Sequence, residues 1–255
     1  MKKYYRPLIQ IGKNRSLQAF ELSQTPYWFD HLQVFQRDAA SYVTAARSVP
    51  TEIIKKICKA RKNPLLFRFS SPIIMGVLNL TPDSFSDGGK FNKKKKSFKH
   101  ILKMVQSGAK IIDVGGESTR PGSKTIDPKV EWKRIEHVLK SFKKKHKKIC
   151  LSIDTRKSDL MIKSIKYGVN LINDVSGFNY DQSSLLKLKR HNIPKVLHHM
   201  QGTPNTMQKN PKYKNVLLDI YDFFEKNTDK KFKNRKVILD PGIGFGKTLK
   251  HNLTL

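Results

Sequence analysis

Six short apolar runs recur from residue 73 onward, at Ile73–Leu78, Ile111–Val114, Ile149–Ile153, Val169–Ile172, Lys195–Leu197 and Val237–Leu239. Each gives way to small or polar residues and then to a helical pattern, which predicts buried strands alternating with helices. Phe98-Ile101-Leu102-Val105, Ile135-Val138-Leu139-Phe142 and Leu217-Ile220-Tyr221-Phe224 fit the i, i+3, i+4, i+7 spacing of an amphipathic helix. Asp127-Pro128 supplies a cap and first-turn pair for the second of these. Strands alternating with helices pair in parallel through right-handed crossovers, and the mean step of roughly 33 residues is that of one βα unit. Six units are visible, whereas a closed (β/α)8 barrel needs eight strands. An open doubly wound sheet would want a Gly-rich phosphate turn after its first strand, and Asn79-Leu80-Thr81-Pro82-Asp83 is not that turn.

Residues 1–72 mix aromatic, charged and small residues without a long period and hold no cluster of catalytic type, so they are taken as an N-terminal extension of unclear role. Residues 73–255 form the α/β domain. The 255 residues, 38% of them hydrophobic, suffice for one large domain or two small ones. The formal charge of +31 resembles the footprint of a nucleic-acid binder. Only 11 of the 51 cations are Arg, though, and a Lys surplus spread over the whole chain also fits the codon bias of an A+T-rich genome. Lys93–Lys96 and Lys143–Lys148 read as solvated helix ends. Cys58 and Cys150 match no metal or redox spacing and read as reduced thiols, which favours a cytoplasmic setting. There is no signal-peptide pattern and no run of 18 apolar residues, so a soluble protein with no membrane partner is expected.

Polar residues collect where the strands end. Asn79 closes the first, Asp113 and Glu117 to Arg120 the second, Asp154 the third, Asn173-Asp174 the fourth, His198-His199 the fifth and Asp240 the sixth. All lie on the carboxyl side, where parallel α/β folds hold their ligands. Gly246-Lys247-Thr248 has the tail of a phosphate-binding P-loop, but Pro241 stands where its opening Gly should be. His198 and His199 are adjacent on a strand, point to opposite faces and cannot share one metal. Ser84 and Ser86 have no base placed beside them.

The segment Met75-Gly76-Val77-Leu78-Asn79-Leu80-Thr81-Pro82-Asp83-Ser84-Phe85-Ser86-Asp87-Gly88-Gly89 resembles the first signature of the dihydropteroate synthases. Asp113-Val114-Gly115-Gly116-Glu117-Ser118-Thr119-Arg120-Pro121-Gly122 resembles the second. Further matches are Ser152-Ile153-Asp154-Thr155, Ile172-Asn173-Asp174-Val175-Ser176-Gly177, His199-Met200-Gln201-Gly202 and Leu239-Asp240-Pro241-Gly242-Ile243-Gly244-Phe245-Gly246-Lys247. Residues from Tyr4 to Leu8 onward resemble, more weakly, the extended N-terminus of some alphaproteobacterial members.

The resemblance implies a TIM (β/α)8-barrel of the pterin-binding type. It also implies an enzyme that joins 6-hydroxymethyl-7,8-dihydropterin pyrophosphate to p-aminobenzoate, releasing pyrophosphate. Asp154, Asn173 and Asp240 then take the pterin edge, whose ring nitrogens and amino group suit carboxylates and an amide; Asp113 is either a fourth such residue or structural. Thr119 and Arg120 take the pyrophosphate, Phe85 and Pro121 line the p-aminobenzoate site, and Asn79 lies at the Mg²⁺ ion. Asp83, Phe85 and Asp87, on a loop ending in Gly88-Gly89, close over the site together with the Thr119–Gly122 loop. His198 stands where relatives carry an apolar residue packed on the pterin.

The resemblance further implies a homodimer when full length and two more βα units supplying a Lys, an Arg and a His; with the Lys surplus read as compositional, no specific nucleic-acid partner is expected. Six units alone would leave the first and sixth strands as edges and the 255-residue chain inactive. Two other readings stay open at this level: a corrinoid-linked methyltetrahydrofolate methyltransferase on a similar barrel, and a non-catalytic Lys-rich RNA-binding or degenerate pterin-binding protein.

Overall fold

The computed structural model describes residues 1–23, 25–60, 64–65, 72–81, 90–146, 148–232 and 236–255. It divides into two compact units, Met1–Asn63 and Pro64–Leu255. The division falls ahead of the change of texture at Pro72 because Leu65 already packs with Ile111, Cys150, Leu171 and Val196.

In the first unit, β1 (Lys3–Pro7), β2 (Phe20–Glu21), β3 (Trp28–Phe29), β4 (His31–Gln36) and β5 (Ala39–Ala45) precede α1 (Thr51–Cys58). β1, β4 and β5 form an antiparallel sheet in that order, and β2 pairs with β3. Alternation along β4 buries Leu32 and Val34. Leu32 joins Phe29, Ala46, Val49 and Ile54 in a core of this unit's own.

The second unit alternates strands and helices: β6 (Met75–Asn79), α2 (Lys90–Gln106), β7 (Ile111–Gly115), α3 (Pro128–Lys145), β8 (Cys150–Asp154), α4 (Ser158–Ile165), β9 (Leu171–Asp174), α5 (Ser184–Lys187), β10 (Lys195–His198), α6 (Val216–Asn227), β11 (Val237–Asp240) and α7 (Leu249–Thr254). All six apolar runs form strands, paired in parallel and in sequence order from β6 to β11, the arrangement of consecutive βα units of an α/β barrel. β6 and β11 are the edges of this sheet, and Val77 and Leu239 are exposed there.

One face of the sheet carries Leu78, Ile112, Val114, Leu151, Ile153, Ile172 and Leu197, packed with Ile101, Ile135, Val138, Leu139, Phe142, Leu160 and Met161 of the helices. Asp127 caps α3 as expected, its carboxylate accepting from Lys129 N at 2.7 Å with Pro128 in the first turn. Two helix faces are rotated from expectation. Leu102 and Tyr221 fit the apolar spacing but are exposed, and Met104, Leu218 and Phe223 are turned inward in their stead. No helix among the described residues is long and apolar enough to cross a membrane.

Candidate functional site

Side chains alternate across a strand, so the positions between the helix-facing residues share the opposite, inner face. At the amino ends of the strands that face is apolar, with Met75, Ile111, Cys150, Leu171, Val196 and Ile238 packed around Leu65. Two to four residues further along the same strands it turns polar and presents Asn79, Asp113, Asp154, Asn173, His198 and Asp240. Asp154 lies in register with Asn173, and His198 with Asp240. Gly115 sits between Asn79 on one side and Asp154 on the other. A Cβ on Gly115 would stand 3.3 Å from both Asn79 Oδ1 and Asp154 Oδ2. Expected residues from four strands, with Asp113 and His198, therefore converge on one mouth.

The Asn173 side-chain nitrogen donates to Asp113 Oδ2 at 2.8 Å. That leaves Asn173 Oδ1 as a buried acceptor without a partner among the described residues, while Asp113 Oδ1 has only the Ser152 hydroxyl, in register beside it, to draw on. Burial raises the Asp113 carboxyl above its usual range against the Ser152 hydroxyl and the Asn173 amide beside it, and the neighbouring Asp240 raises it further. Asp154 is pushed well above the usual carboxylate range, first by burial and then by the fields of Asp113, Asp174, Glu131 and Glu117. Asp240 Oδ1 accepts from Gly242 N at 2.8 Å. Among the described residues no salt bridge reaches Asp113, Asp154 or Asp240.

His198 is buried, with Nδ1 2.9 Å from Val175 O and its ring edge-on to Phe245. With Nδ1 donating to that carbonyl, Nε2 is an acceptor beside Gly242. Burial holds the imidazole below its usual range, opposed by Asp240. His199 follows β10 and packs on the other side, against Phe223 of α6, so the two histidines do not converge. Lys247 donates to Gly242 O at 2.8 Å, Phe245 O at 3.0 Å and His199 Nδ1 at 3.2 Å. It closes its own loop, whereas the Lys of a P-loop reaches out to phosphates. Asp174, next to Asn173 but on the helix-facing side, accepts from Ser176 N, Ser176 Oγ and Phe178 N. It shapes a turn, with burial raising its carboxyl to about 6.

The loop after β7 carries Thr119, half-buried, and Arg120 and Pro121, both exposed. Among the described residues no contact joins Arg120 to the inner-face acids. Within the loop, Ser123 Oγ donates to Ser118 O at 2.7 Å, and Gly122 N donates to Pro204 O at 3.1 Å. Beneath it lies a buried ionic cluster that sequence reasoning missed. Arg156 Nε and Nη2 donate to Glu117 Oε2 at 3.2 and 2.6 Å, and Lys157 Nζ donates to Glu117 Oε1 at 2.9 Å and also to Glu131 Oε2. Burial opposes ionisation of Glu117. The hydrogen bonds from Arg156, Ile126 N and Lys157 outweigh it and hold the carboxyl below the usual range. The signal was present: Arg156 and Lys157 stand at the start of α4, with Lys157 at its N-cap, where the helix dipole disfavours cations and an anionic partner is called for.

Asp83, Phe85 and Asp87 lie outside the described residues. Among the described residues no group of three His, Cys, Asp or Glu side chains could hold a metal. Asn79 is exposed, and its Oδ1 flanks Gly115 across from Asp154 Oδ2; such oxygen atoms fit part of the shell of a hard cation.

The pattern of the family described as "Pterin binding enzyme" matches residues 75–255. The dihydropteroate synthase of Escherichia coli (strain K12) is 40% identical over 190 residues, covering 73% of this chain and 67% of that protein. That of Clostridium beijerinckii is 43% identical over 184 residues, covering 71% of this chain and 65% of that protein. Among solved structures, Yersinia pestis dihydropteroate synthase with a sulfonamide drug complex superposes with a TM-score of 0.68 at 39% identity, over 75% of this chain and 70% of that one. The Burkholderia cenocepacia enzyme complexed with 7,8-dihydropteroate gives 0.61 at 30% identity, over 71% and 62%.

Proposed function

Since the chain belongs to the dihydropteroate synthase family of pterin-binding enzymes, we propose that its inner-face acids read the edge of a dihydropterin while the loop after β7 holds the pyrophosphate that leaves. The family activity is a transfer in folate biosynthesis: the pterin methylene passes from pyrophosphate to the amine of p-aminobenzoate. The corrinoid-linked methyltransferase reading gives way, because relatives at 40% identity are synthases.

The observation that carries the assignment is the acceptor-rich mouth. Asp113, Asp154, Asn173 and Asp240 share one face, no salt bridge reaches the three acids among the described residues, and the buried Asn173 Oδ1 lacks a donor. A pterin edge supplies N–H donors in a row, which satisfy these acceptors and stabilise the ionised carboxylates. Once ionised, the same face favours the positive charge that develops on the methylene as the C–O bond to pyrophosphate breaks, since oriented charge in a desolvated site acts strongly on a transition state. Thr119 and Arg120 hold the departing anion, for which a guanidinium fork is well shaped. Phe85 and Pro121 form the p-aminobenzoate wall, and Asp83, Phe85 and Asp87 belong to the covering loop.

Mg²⁺ belongs to this reading through Asn79, whose amide oxygen would supply one ligand beside phosphate oxygens and water. When bound, the ion neutralises pyrophosphate oxygens. The p-aminobenzoate site makes the chain a candidate target of sulfonamides, as the Yersinia pestis complex supports. The reduced, widely separated cysteines support a cytoplasmic setting.

Calorimetric titration with 6-hydroxymethyl-7,8-dihydropterin pyrophosphate tests the assignment. Asp154→Ala is expected to weaken the pterin ligand far more than p-aminobenzoate; unchanged pterin affinity would contradict it.

A further inference from the structure

The loop between Glu117 and Ile126 is closed at its neck. Glu117, its first residue, accepts from the backbone N–H of Ile126, its last, at 2.8 Å. Arg156 clamps the same neck from outside. It donates twice to Glu117 and, through Nη2, once to Thr125 Oγ1 at 3.3 Å, and its guanidinium lies over the Tyr180 ring at 4.5 Å. Lys157 ties Glu117 to Glu131 on α3. Three strand-end segments are thereby locked together: the loop after β7, the start of α4, and the segment after β9 that carries Tyr180. Asp181 of that last segment also accepts from the Ser158 backbone N–H at 2.9 Å.

Two acids and two cations make the cluster electrically neutral, and its side chains are nearly inaccessible. Burying such a cluster gains little stability over a well-packed apolar plug. What it supplies is a defined neck geometry, and the residues held between the two ends of that neck include Thr119, Arg120 and Pro121.

We propose that Arg156, with Lys157 beside it, is a positioning residue for the pyrophosphate end of the site: it touches no substrate and acts by fixing the neck from which Thr119 and Arg120 project. The proposal rests on the reading of that loop as the pyrophosphate holder. Displacing a binding group by about 1 Å can cost as much as 10² in a reaction rate, so loosening the neck should be felt by the pyrophosphate and not by the pterin ring.

The test is calorimetric titration with two ligands, 6-hydroxymethyl-7,8-dihydropterin pyrophosphate and the same pterin alcohol without pyrophosphate. It compares the wild-type chain with Arg156→Lys, Thr125→Val, Arg120→Ala and the Arg120→Ala/Arg156→Lys pair. Arg156→Lys keeps the charge but loses the fork and the ring contact. It should weaken the pyrophosphate ligand by about tenfold and leave the alcohol unchanged. Thr125→Val alters an exposed side chain, leaves the core intact and should shift affinity in the same direction by less. Because Arg156 acts through Thr119 and Arg120, the double variant should lose less than the sum of the two single losses.

Wild-type affinity in both Arg156→Lys and Thr125→Val, equal loss of both ligands, or additive losses in the pair would overturn the positioning role. If Arg120→Ala binds the pyrophosphate ligand like wild type, the reading of the loop itself fails, and the inference falls with it. A large Arg120→Ala effect beside silent Arg156→Lys and Thr125→Val variants overturns the inference alone.

Discussion

Buried carboxylates stand at two places on the carboxyl side of the sheet, held in opposite ways. Glu117 and Glu131 are ringed by Arg156 and Lys157, and Glu117 is held below the usual carboxylate range although burial opposes it. Asp113 and Asp154 lie on the inner face with no salt bridge to either among the described residues, and burial drives both upward. In the first cluster the two acids are matched by two cations, and Glu131 Oε1 is its one buried oxygen without a partner among the described residues. The second has acceptors to spare, which is the state expected of a surface awaiting donors.

The largest effect that separates the two comes from breaking the matched cluster. Glu117→Ala leaves Arg156 and Lys157 buried with one acid between them, and should cost about 3–5 kcal/mol of unfolding free energy in denaturant titration. A loss below about 1 kcal/mol would mean that the cluster is solvated in practice. On the inner face, Asp154→Ala should weaken pterin binding by on the order of 1.5–3 kcal/mol, the worth of a charge-assisted hydrogen bond, read by calorimetry.

Stability of the ligand-free protein should move the other way there. A carboxyl whose folded pKa exceeds its unfolded value costs stability once pH rises above the unfolded value. Asp154→Asn should therefore raise the neutral-pH unfolding midpoint, whereas Glu117→Gln should lower it; a fall in both would erase the contrast. The smallest effect belongs to Asp174, whose carboxylate serves a turn on the helix-facing side. Asp174→Asn retains one acceptor oxygen, so it should cost about 1 kcal/mol of stability and leave pterin affinity unchanged.

Much of the second unit was legible because its strands are short apolar runs separated by turn residues. Asn79, Asp154, His198 and Asp240 were legible because each closes its strand, whereas Asp113 stands in the middle of β7. Helix faces were less so: Ile101 and Leu102 are adjacent and similarly apolar, and only the packing of α2 against the sheet decides that Ile101 is buried while Leu102 is not. The alternation that buries Leu32 and Val34 in β4 was present in residues 1–72, but it spans too few residues to stand out among exposed aromatics. The ionic cluster was hidden by distance along the chain, since Glu117 meets Arg156 and Lys157 only when β7 and β8 pair.

The central claim is that inner-face carboxyls raised by burial are returned to the ionised state by a pterin's donors. Calorimetry of pterin pyrophosphate binding at a series of pH values, each in two buffers of different ionisation enthalpy, measures this directly. Donors that favour the carboxylate lower its pKa on binding, so the account predicts net proton release into the buffer, lost in Asp154→Asn. Binding enthalpies that do not depend on the buffer, or net proton uptake at the inner face, would contradict it.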